Sequence, residues 1–338
     1  MKKLLKTLAI ALLPLSILIS CGTTNVVDNS YTPTGDYLTD SINYTLSVTN
    51  PNNKAYYEEG AGYIYDHNLE SAAPLITKWE KESPLDPDLS AIKFNTKYEE
   101  SVSTTILQSL EVPKDKAYLT MEGKNGETIY IYEEVSLDEQ GLQDAIDILE
   151  KTTIYHPVRL DIWFGLVRTY LDAGQWRMAE DAFNRCLEVL DKTDNQWLWT
   201  NNATISNVNG DRTQNDMDFI LACHDYLAFL YSVRTEETIS IAKNMTASLF
   251  ERFPNNVVLL NLVAADNMNM GNFDEGKALF LQAYELDPTD LVVIGNLAFV
   301  SCLEKNEADF NKYYYIMINS GNEMSIEQAT ELKEKYFK

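Results

Sequence analysis

A repeat of fixed length is the feature that most limits how this chain can fold. Units that begin at Cys223, Val257 and Leu291 follow one another at intervals of 34 residues. Within the middle unit, apolar and small residues take a regular set of places, namely Leu260, Val263, Ala264, Gly271, Phe280, Ala283 and Pro288. A period of this length is typical of paired helices that stack on their neighbours and bury a continuous core. The period therefore predicts a helical-repeat protein.

The unit that begins at Leu160 carries the pattern most clearly. Its bulky, aromatic and small positions are Trp163, Leu166, Tyr170, Gly174, Ala179, Phe183 and Cys186. This order resembles the tetratricopeptide repeat (TPR), with Val167 in a place that is usually small. Similar residues recur in the same phase over 53–86 and 138–324. The resemblance implies a mainly α fold, a TPR-like α-solenoid of antiparallel helical hairpins.

Two segments interrupt the repeats. Between residues 117 and 132, β-favouring residues flank Asn125-Gly126, which predicts one small β-hairpin insertion. Residues 194–216 separate two in-phase units and predict a loop insertion. The predicted domains are therefore 51–134, with a TPR-like unit, a helix and the hairpin, and 135–338, a TPR-like helical-repeat domain.

The N-terminus has the composition of a secretory signal. Residues 1–20 combine a basic head with an apolar run shorter than the roughly 20 residues that span a bilayer. The end of this run, Leu18-Ile-Ser-Cys21, resembles a bacterial lipobox, which implies that Cys21 is diacylated and becomes the new N-terminus. Residues 21–50 are rich in Thr, Asn, Ser and Asp and predict a flexible tether, with a short ordered end left open.

The charge and the cysteines limit the classes of partner and site. The chain has 51 acidic and 27 basic residues and a net charge of −24, so we expect no binding to nucleic acid. Apart from Cys21, the cysteines are Cys186, Cys223 and Cys302, which are interpreted as core residues, with one disulfide between two of them left open. Neither Cys-x-x-Cys nor His-x-x-x-His spacing occurs, so no metal site and no cofactor are predicted.

The sequence also lacks the motifs of an enzyme. It contains no Gly-x-Ser-x-Gly, no phosphate-binding loop and no dinucleotide fingerprint. His224 and Asp225 are adjacent, but neighbours on a helix point in different directions, so His224 is interpreted as a helix-face residue. We therefore expect a protein without catalytic residues.

The resemblance to TPR proteins implies candidate partner-binding residues. In that family, first helices line the ligand groove at the second, fifth, ninth, twelfth and thirteenth repeat positions. Carried over to this sequence, the candidates are Phe164, Arg168, Asp172, Tyr231, Arg234, Asn261 and Asn269. The lysine and asparagine clamp that some TPR proteins use for a C-terminal carboxylate is absent as a set. A mixed polar and apolar groove of this kind suits an extended or helical segment of another protein.

Trp197 and Trp199 allow two interpretations. In the favoured one, the two rings fold back and cover helix ends. In the other, they anchor a peptide or provide stacking faces for a sugar. The second interpretation supports an alternative function, that of a glycan- or nutrient-binding outer-membrane lipoprotein with an aromatic insert loop.

The repeats and Cys21 together predict a membrane-anchored lipoprotein that acts as a protein–protein interaction scaffold at the cell envelope. In overall plan the chain resembles TPR lipoproteins that assist outer-membrane protein assembly. Gly22 after the cysteine fits transport to the outer membrane. The expected partners are other envelope proteins or peptides, while their identity, the membrane face and the oligomeric state are left open.

Overall fold

A computed structural model describes residues 33–114, 116–194, 196–201, 204–207 and 212–337, with the backbone alone for 199–201, 204–207 and 212–218. The predicted signal peptide and Cys21 lie outside these residues. The chain divides into two compact units, Met1–Arg212 (unit 1) and Thr213–Lys338 (unit 2).

Unit 1 contains three helix pairs preceded by a single helix. The single helix is α1 (Tyr37–Val48), and the pairs are α2 (Asn53–Tyr65) with α3 (Leu69–Glu82), α4 (Pro87–Ser101) with α5 (Glu139–Tyr155), and α6 (Leu160–Asp172) with α7 (Trp176–Lys192). The repeat positions of the last pair lie in its interior, because Trp163, Tyr170 and Phe183 are all buried. The predicted mainly α, TPR-like fold is therefore confirmed.

Unit 2 continues the same architecture. Its helices are α8 (Arg212–Val233), α9 (Glu236–Arg252), α10 (Val257–Met270), α11 (Phe273–Leu286), α12 (Leu291–Leu303), α13 (Glu307–Ile318) and α14 (Glu323–Tyr336). α10 packs on α11, α12 packs on α13, and α14 packs on both α12 and α13. None of the described helices is both long and apolar enough to cross a membrane.

Local signals set the ends of these helices. Asn256 caps α10 by accepting a hydrogen bond from the Leu259 backbone N–H, and Gly271 ends the helix at φ +85°. Glycine adopts this left-handed conformation without a steric penalty, so the chain turns directly into α11. The core of the pair is formed by predicted repeat residues, of which Leu260 and Phe280 are buried.

A three-stranded antiparallel sheet lies within one helix pair of unit 1. Its strands are β1 (Val102–Ser109), β2 (Tyr118–Glu122) and β3 (Thr128–Leu137), in the order β1-β3-β2. β2 and β3 form the predicted hairpin around Asn125-Gly126, but β1 was not predicted. Because α4 packs on α5, the sheet interrupts a helix pair, and the proposed boundary at residue 134 falls inside β3.

The described end of the predicted tether over 21–50 is ordered, an alternative that the sequence left open. Residues 37–48 form α1, which Asp36 caps by accepting a hydrogen bond from the Thr39 backbone N–H. Thr45 of this helix is buried and lies 3.0 Å from Nδ1 of His156. A short helix of this kind depends on tertiary contacts, which the polar composition of the segment does not reveal.

The predicted loop over 194–216 is also ordered differently. It contains a short antiparallel ladder of β4 (Leu198–Asn201) and β5 (Thr204–Asn207), and α8 begins inside its end at Arg212. The backbone N–H of Leu198 donates to the Val158 carbonyl at 2.8 Å, which ties the ladder to the start of α6.

The three remaining cysteines are core residues, as expected. Cys186, Cys223 and Cys302 are buried as thiols, and no disulfide joins any two of them in the described chain.

Candidate functional site

Two of the predicted groove residues of unit 1 contact each other. Arg168 Nη2 lies 2.9 Å from Asp172 Oδ1, and the Tyr98 hydroxyl donates to Asp172 Oδ2 at 2.8 Å. Burial, more than any other cause, raises the pKa of Asp172. The contact with Tyr98 joins α6 to α4, so Arg168 and Asp172 hold neighbouring first helices together. Phe164 on the same helix is half-buried.

The candidates in unit 2 separate into buried and exposed residues. Tyr231 is buried, and Asn261 Oδ1 accepts a hydrogen bond of 2.8 Å from Nδ2 of Asn296, which joins α10 to α12. Arg234, just after α8, and Asn269, near the end of α10, are exposed. Of the four candidates here, Arg234 and Asn269 therefore keep the most accessible side chains.

Sequence reasoning missed an apolar stripe on α12. Val292, Phe299 and Leu303 are 64%, 40% and 44% exposed, and they take the second, ninth and thirteenth positions of the repeat that begins at Leu291. Their spacing of seven and four residues places them on one helix face. We call these three residues the α12 stripe. The signal was present in the sequence, because the same repeat positions had supplied candidates in three earlier units.

Polar and small residues support the stripe from both sides. Asn296 lies between Val292 and Phe299 in the sequence and bonds Asn261 of α10. On the α14 side, a Cβ at Gly295 would come within 2.8 Å of Gln328 Oε1, so the absence of a side chain permits the close approach of the two helices. The α12 stripe therefore lies on a helix held on one side by α10 and on the other by α14.

Of the two insert tryptophans, the structure describes the side chain of Trp197. Trp197 is 5% exposed and buried against unit 1, as the favoured interpretation predicted. Trp199 takes a place in β4 opposite Ser206, and its side chain lies outside the described part. A buried ring cannot stack on a sugar, so Trp197 does not support the glycan-binding alternative.

Unit 1 also has an open cleft of about 450 Å³ between α3, α4 and α5. Its two lysines are already paired, because Lys93 Nζ lies 2.8 Å from Glu80 Oε1 and Lys97 Nζ lies 3.4 Å from Asp144 Oδ2. Ile76 and Ile148 provide its apolar surface. Internal pairing of this kind leaves little unsatisfied charge for a ligand.

The most concentrated charge in the interior of unit 1 lies where its helix pairs meet. Arg159 Nη2 lies 2.8 Å from Asp88 Oδ1 and 2.7 Å from Asp161 Oδ2, and the Arg159 and Asp88 side chains have no exposed surface. Asp86 is buried next to them and accepts a 2.9 Å hydrogen bond from the Asp88 backbone N–H. We call these four residues the Arg159 hub.

The electrostatics of the Arg159 hub suit a structural role. Burial, followed by the charge of Asp88, raises the pKa of Asp86 to about 7, against three N–H donors that lower it. Two of these donors are the Asn50 backbone, at 2.7 Å, and Trp79 Nε1, at 2.9 Å. All these contacts are internal, so the hub joins loops and helix starts, and of its four side chains Asp161 keeps 17% exposed surface.

His156 extends the hub toward α1. Its Nε2 lies 2.8 Å from the Leu85 carbonyl, which can only accept, so Nε2 carries the proton and Nδ1 accepts from the Thr45 hydroxyl. Burial lowers the pKa of His156 to about 4. The ring is therefore neutral at pH 7, and it positions α1 against the loop that follows α3.

Among the described residues, one further contact between titratable groups joins two helices of unit 2. His224 Nε2 lies 3.3 Å from Asp266 Oδ2, a contact between α8 and α10. No group of three or more His, Cys, Asp and Glu side chains within the described residues could hold a metal ion.

No protein-family model matches the chain, and no curated protein matches it in sequence. Among solved structures, it is similar to PilF of Pseudomonas aeruginosa, at 10% identity and TM-score 0.36 over 84% of this chain and 97% of that one. It is also similar to YrrB, described as a TPR protein with an unusual peptide-binding site, at 14% identity and TM-score 0.33 over 58% of this chain and 84% of that one. A thermophilic TPR protein of Thermus thermophilus aligns at 15% identity and TM-score 0.31, over 58% of this chain and 89% of that one. Likeness of this degree says nothing about what the chain binds.

Proposed function

We propose that this protein is a non-catalytic, TPR-like scaffold that binds other proteins of the cell envelope and is held at the membrane by a lipid on Cys21. The observation that carries the binding function is the α12 stripe. Val292, Phe299 and Leu303 expose large apolar surfaces side by side at positions where a first helix meets its ligand. Contiguous exposed apolar surface of this kind marks sites of protein interaction.

The chemistry of the α12 stripe defines the partner class. Three apolar side chains on one helix face suit a partner helix or extended segment that presents its own apolar side chains at matching intervals. Asn269, exposed on neighbouring α10, provides an amide for the polar rim of such a segment. A partner recognised mainly by charge fits this surface poorly, because the stripe itself carries none.

A site-specific photo-crosslinker in the intact envelope tests the binding site. A photoreactive residue at Phe299 is expected to capture one partner, and the same residue at Val292 should capture the same partner. The matched control is Tyr315, which is 59% exposed but lies on the second helix α13. Equal capture from Phe299 and Tyr315, or none from the stripe at high yield of activation, would refute the proposal.

Truncation of the central ring gives the energetic test. Phe299→Ala is expected to weaken binding of the captured partner by roughly 10- to 100-fold, the effect of losing an aromatic anchor. Because Phe299 is 40% exposed, its loss should change the stability of the protein far less than its binding. Titration of the purified partner, together with a urea melt of the variant, separates the two effects.

The anchor is proposed from residues 1–21 of the sequence, which end in a lipobox-like segment. Two acyl chains on one cysteine would hold the protein stably, whereas a single chain binds membranes marginally. Cys21→Ala is expected to abolish labelling with a radioactive fatty acid and to leave the signal uncleaved or release the protein from the outer membrane. Unchanged labelling and membrane fractionation would contradict the lipid anchor. They would not bear on the proposed binding site.

A further inference from the structure

The sheet of unit 1 exposes one mainly apolar face. Residues that are opposite one another in the ladders share a face. The apolar residues of this face are Val102, Ile106, Leu119, Met121, Ile129, Ile131, Val135 and Leu137, and its polar residues are Thr104, Gln108 and Glu133, which is opposite Ile106. Ile106 and Leu119 are 66% and 70% exposed, which is unusual for large apolar side chains in the two outer strands of a sheet. The sheet therefore has apolar surface that its own unit does not cover.

One outer edge of the sheet is protected in the usual way. The edge strand β2 has five residues, ends at the charged Glu122 and follows Lys116. Lys116 Nζ lies 2.7 Å from Glu134 Oε1 on neighbouring β3, so its charge is held beside the edge. Short length and adjacent charge are the devices by which natural sheets discourage further strand pairing.

The other outer edge has none of these devices. β1 has eight residues, VSTTILQS, with no charged residue and no proline. β3 is its strand neighbour in the described sheet, and Ser103, Thr105, Ile106 and Gln108 are exposed or half-buried along it. A long uncharged edge of this kind is a template for another strand, because half of its backbone N–H and C=O groups point away from the sheet.

We infer that β1 pairs with β1 of a second copy of this chain, antiparallel and about a two-fold axis close to Ile106. The axis is perpendicular to the sheet, so the two apolar faces lie on the same side and the two Ile106 side chains meet. Thr104 of one copy is then opposite Gln108 of the other. The combined sheet has the strand order β2-β3-β1-β1-β3-β2.

A closed two-fold dimer explains the unprotected β1 edge better than pairing with a strand of another protein does. Pairing two β1 strands uses both unprotected edges at once and leaves only the short, charged β2 edges outside. A single strand from another protein would cover one β1 edge and create a new edge of its own. The uncharged β1 also brings no like charges together across the axis, although each chain has a net charge of −24.

This self-association goes beyond the proposed function and does not depend on it. The α12 stripe belongs to unit 2 and takes no part in the strand pair. A dimer would present two such stripes on one particle, so a partner with two binding segments would gain avidity.

Cysteine crosslinking of the full chain in detergent tests the pairing. Ile106→Cys should give a disulfide-linked dimer under mild oxidation, because residues opposite one another in an antiparallel pair have Cβ atoms about 5 Å apart. Leu119→Cys is the matched control, since it is equally exposed on the same face but is on β2. Five strand spacings, about 24 Å, would separate the two copies of residue 119. The native cysteines at 186, 223 and 302 are buried, and the parent chain reports any background.

Sedimentation of charge variants provides the second measurement. Ile106→Lys places two like charges at the axis and is expected to raise the dimer dissociation constant more than about tenfold. Leu119→Lys should leave it unchanged.

Three outcomes would overturn the inference: a parent chain that stays monomeric, equal crosslinking from residues 106 and 119, and a crosslink from residue 106 to a different protein. None of these bears on capture at Phe299, so failure of the strand pair and failure of the scaffold function are distinguishable.

Discussion

The tripeptide Leu-Asp-Pro follows a second helix in both units, at 85–87 and 286–288, and its two aspartates have opposite environments. Asp86 is buried, accepts a hydrogen bond from Trp79 Nε1, and has a pKa raised to about 7 by burial. Asp287 accepts hydrogen bonds from the Thr289 hydroxyl and backbone N–H, which lower its pKa. The aspartate of the same tripeptide is thus fully buried in one unit and half-buried, within a turn, in the other.

The comparison extends to the way the helix pairs of each unit are held together. Unit 1 places Asp88 and Arg159, both without exposed surface, between its helix pairs. The helix pairs of unit 2 share an apolar cluster that includes Phe310, Leu297 and Ala264. Buried charges are stable only as a complete set, whereas an apolar core loses free energy roughly in proportion to the volume removed. Substitutions in the two units should therefore lower the free energy of unfolding in different ways.

Arg159→Met is expected to have the largest effect, a loss of about 3–5 kcal/mol from the free energy of unfolding of unit 1. The change leaves the Asp88 carboxylate buried without its cation, beside Asp86. All five tryptophans belong to unit 1, so intrinsic fluorescence during urea unfolding reports this unit alone.

Arg177→Met is the matched control for Arg159. Its guanidinium is 63% exposed and pairs with Glu180 at 3.4 Å, a type of surface pair whose removal costs less than about 1 kcal/mol. Equal midpoints of urea unfolding for the two variants would show that the Arg159 hub does not hold the helix pairs together.

Phe310→Ala should lower the stability of unit 2 by about 3–5 kcal/mol through the cavity it leaves. Phe310 has no exposed surface, and its ring lies 4.8 Å from that of Phe337. Hydrogen exchange of peptides from α12 and α13 is the measurement, with Tyr315→Ala, at a 59% exposed position, as control. An equal loss of stability in the unfolding transition that tryptophan fluorescence reports would contradict the expectation that the two units lose stability in different ways.

The sequence predicted the residues that recur in every repeat. It did not predict contacts that occur at only one place in the molecule. The 34-residue period located Leu260, Phe280 and the other core positions, because packing imposes the same size of residue in each unit. Phe310 lies at the repeat position that Ala179 takes in the unit beginning at Leu160, and its ring is much larger. The accommodation of this ring by Phe337, after the last helix, depends on a tertiary contact that no period records.

The Arg159 hub and β1 were missed for a related reason. Asp88 and Arg159 meet across 71 residues of sequence, and each is an ordinary surface residue type when considered alone. β1 continues directly from α4, and no turn signal like Asn125-Gly126 separates the two. Repeat phase predicted the helices on which the candidate binding residues lie. Only the structure shows that Asp172, besides its contact with Arg168, accepts a hydrogen bond from Tyr98 of α4.

The pH dependence of unit 1 gives the next largest expected effect. His156, with its pKa lowered from 6.5 to about 4, is protonated only in the unfolded chain between these values, so stability rises with pH across that window. Asp86, with its pKa raised from 3.8 to about 7, binds a proton only in the folded chain over an overlapping window, so stability falls as pH rises. The two effects oppose each other between pH 4 and 6.5.

His156→Gln should remove one of these opposing effects. Glutamine keeps a donor for the Leu85 carbonyl and an acceptor for Thr45 but does not titrate. The variant is expected to lose stability as pH rises from 4 to 6.5, by as much as about 3 kcal/mol more than the parent chain. Urea midpoints from tryptophan fluorescence at four pH values measure the difference, and parallel curves for parent and variant would exclude a titrating His156.

A pair of glycine substitutions has the smallest expected effect and tests close packing in the two units. A Cβ at Gly276 of α11 would come within 2.9 Å of the Ala264 carbonyl oxygen and of Met268 Cγ in α10, whereas a Cβ at Gly62 of α2 would meet nothing within 4 Å. Gly276→Ala should therefore destabilise unit 2 by about 1–2 kcal/mol, since overpacking outweighs the gain in helix propensity. Gly62→Ala should stabilise unit 1 by about 0.5–1 kcal/mol, because propensity acts there without a clash. Hydrogen exchange measures the effect of Gly276→Ala, and tryptophan fluorescence measures that of Gly62→Ala. If both substitutions changed stability in the same direction, the α10–α11 pair would be able to relax and admit a methyl group.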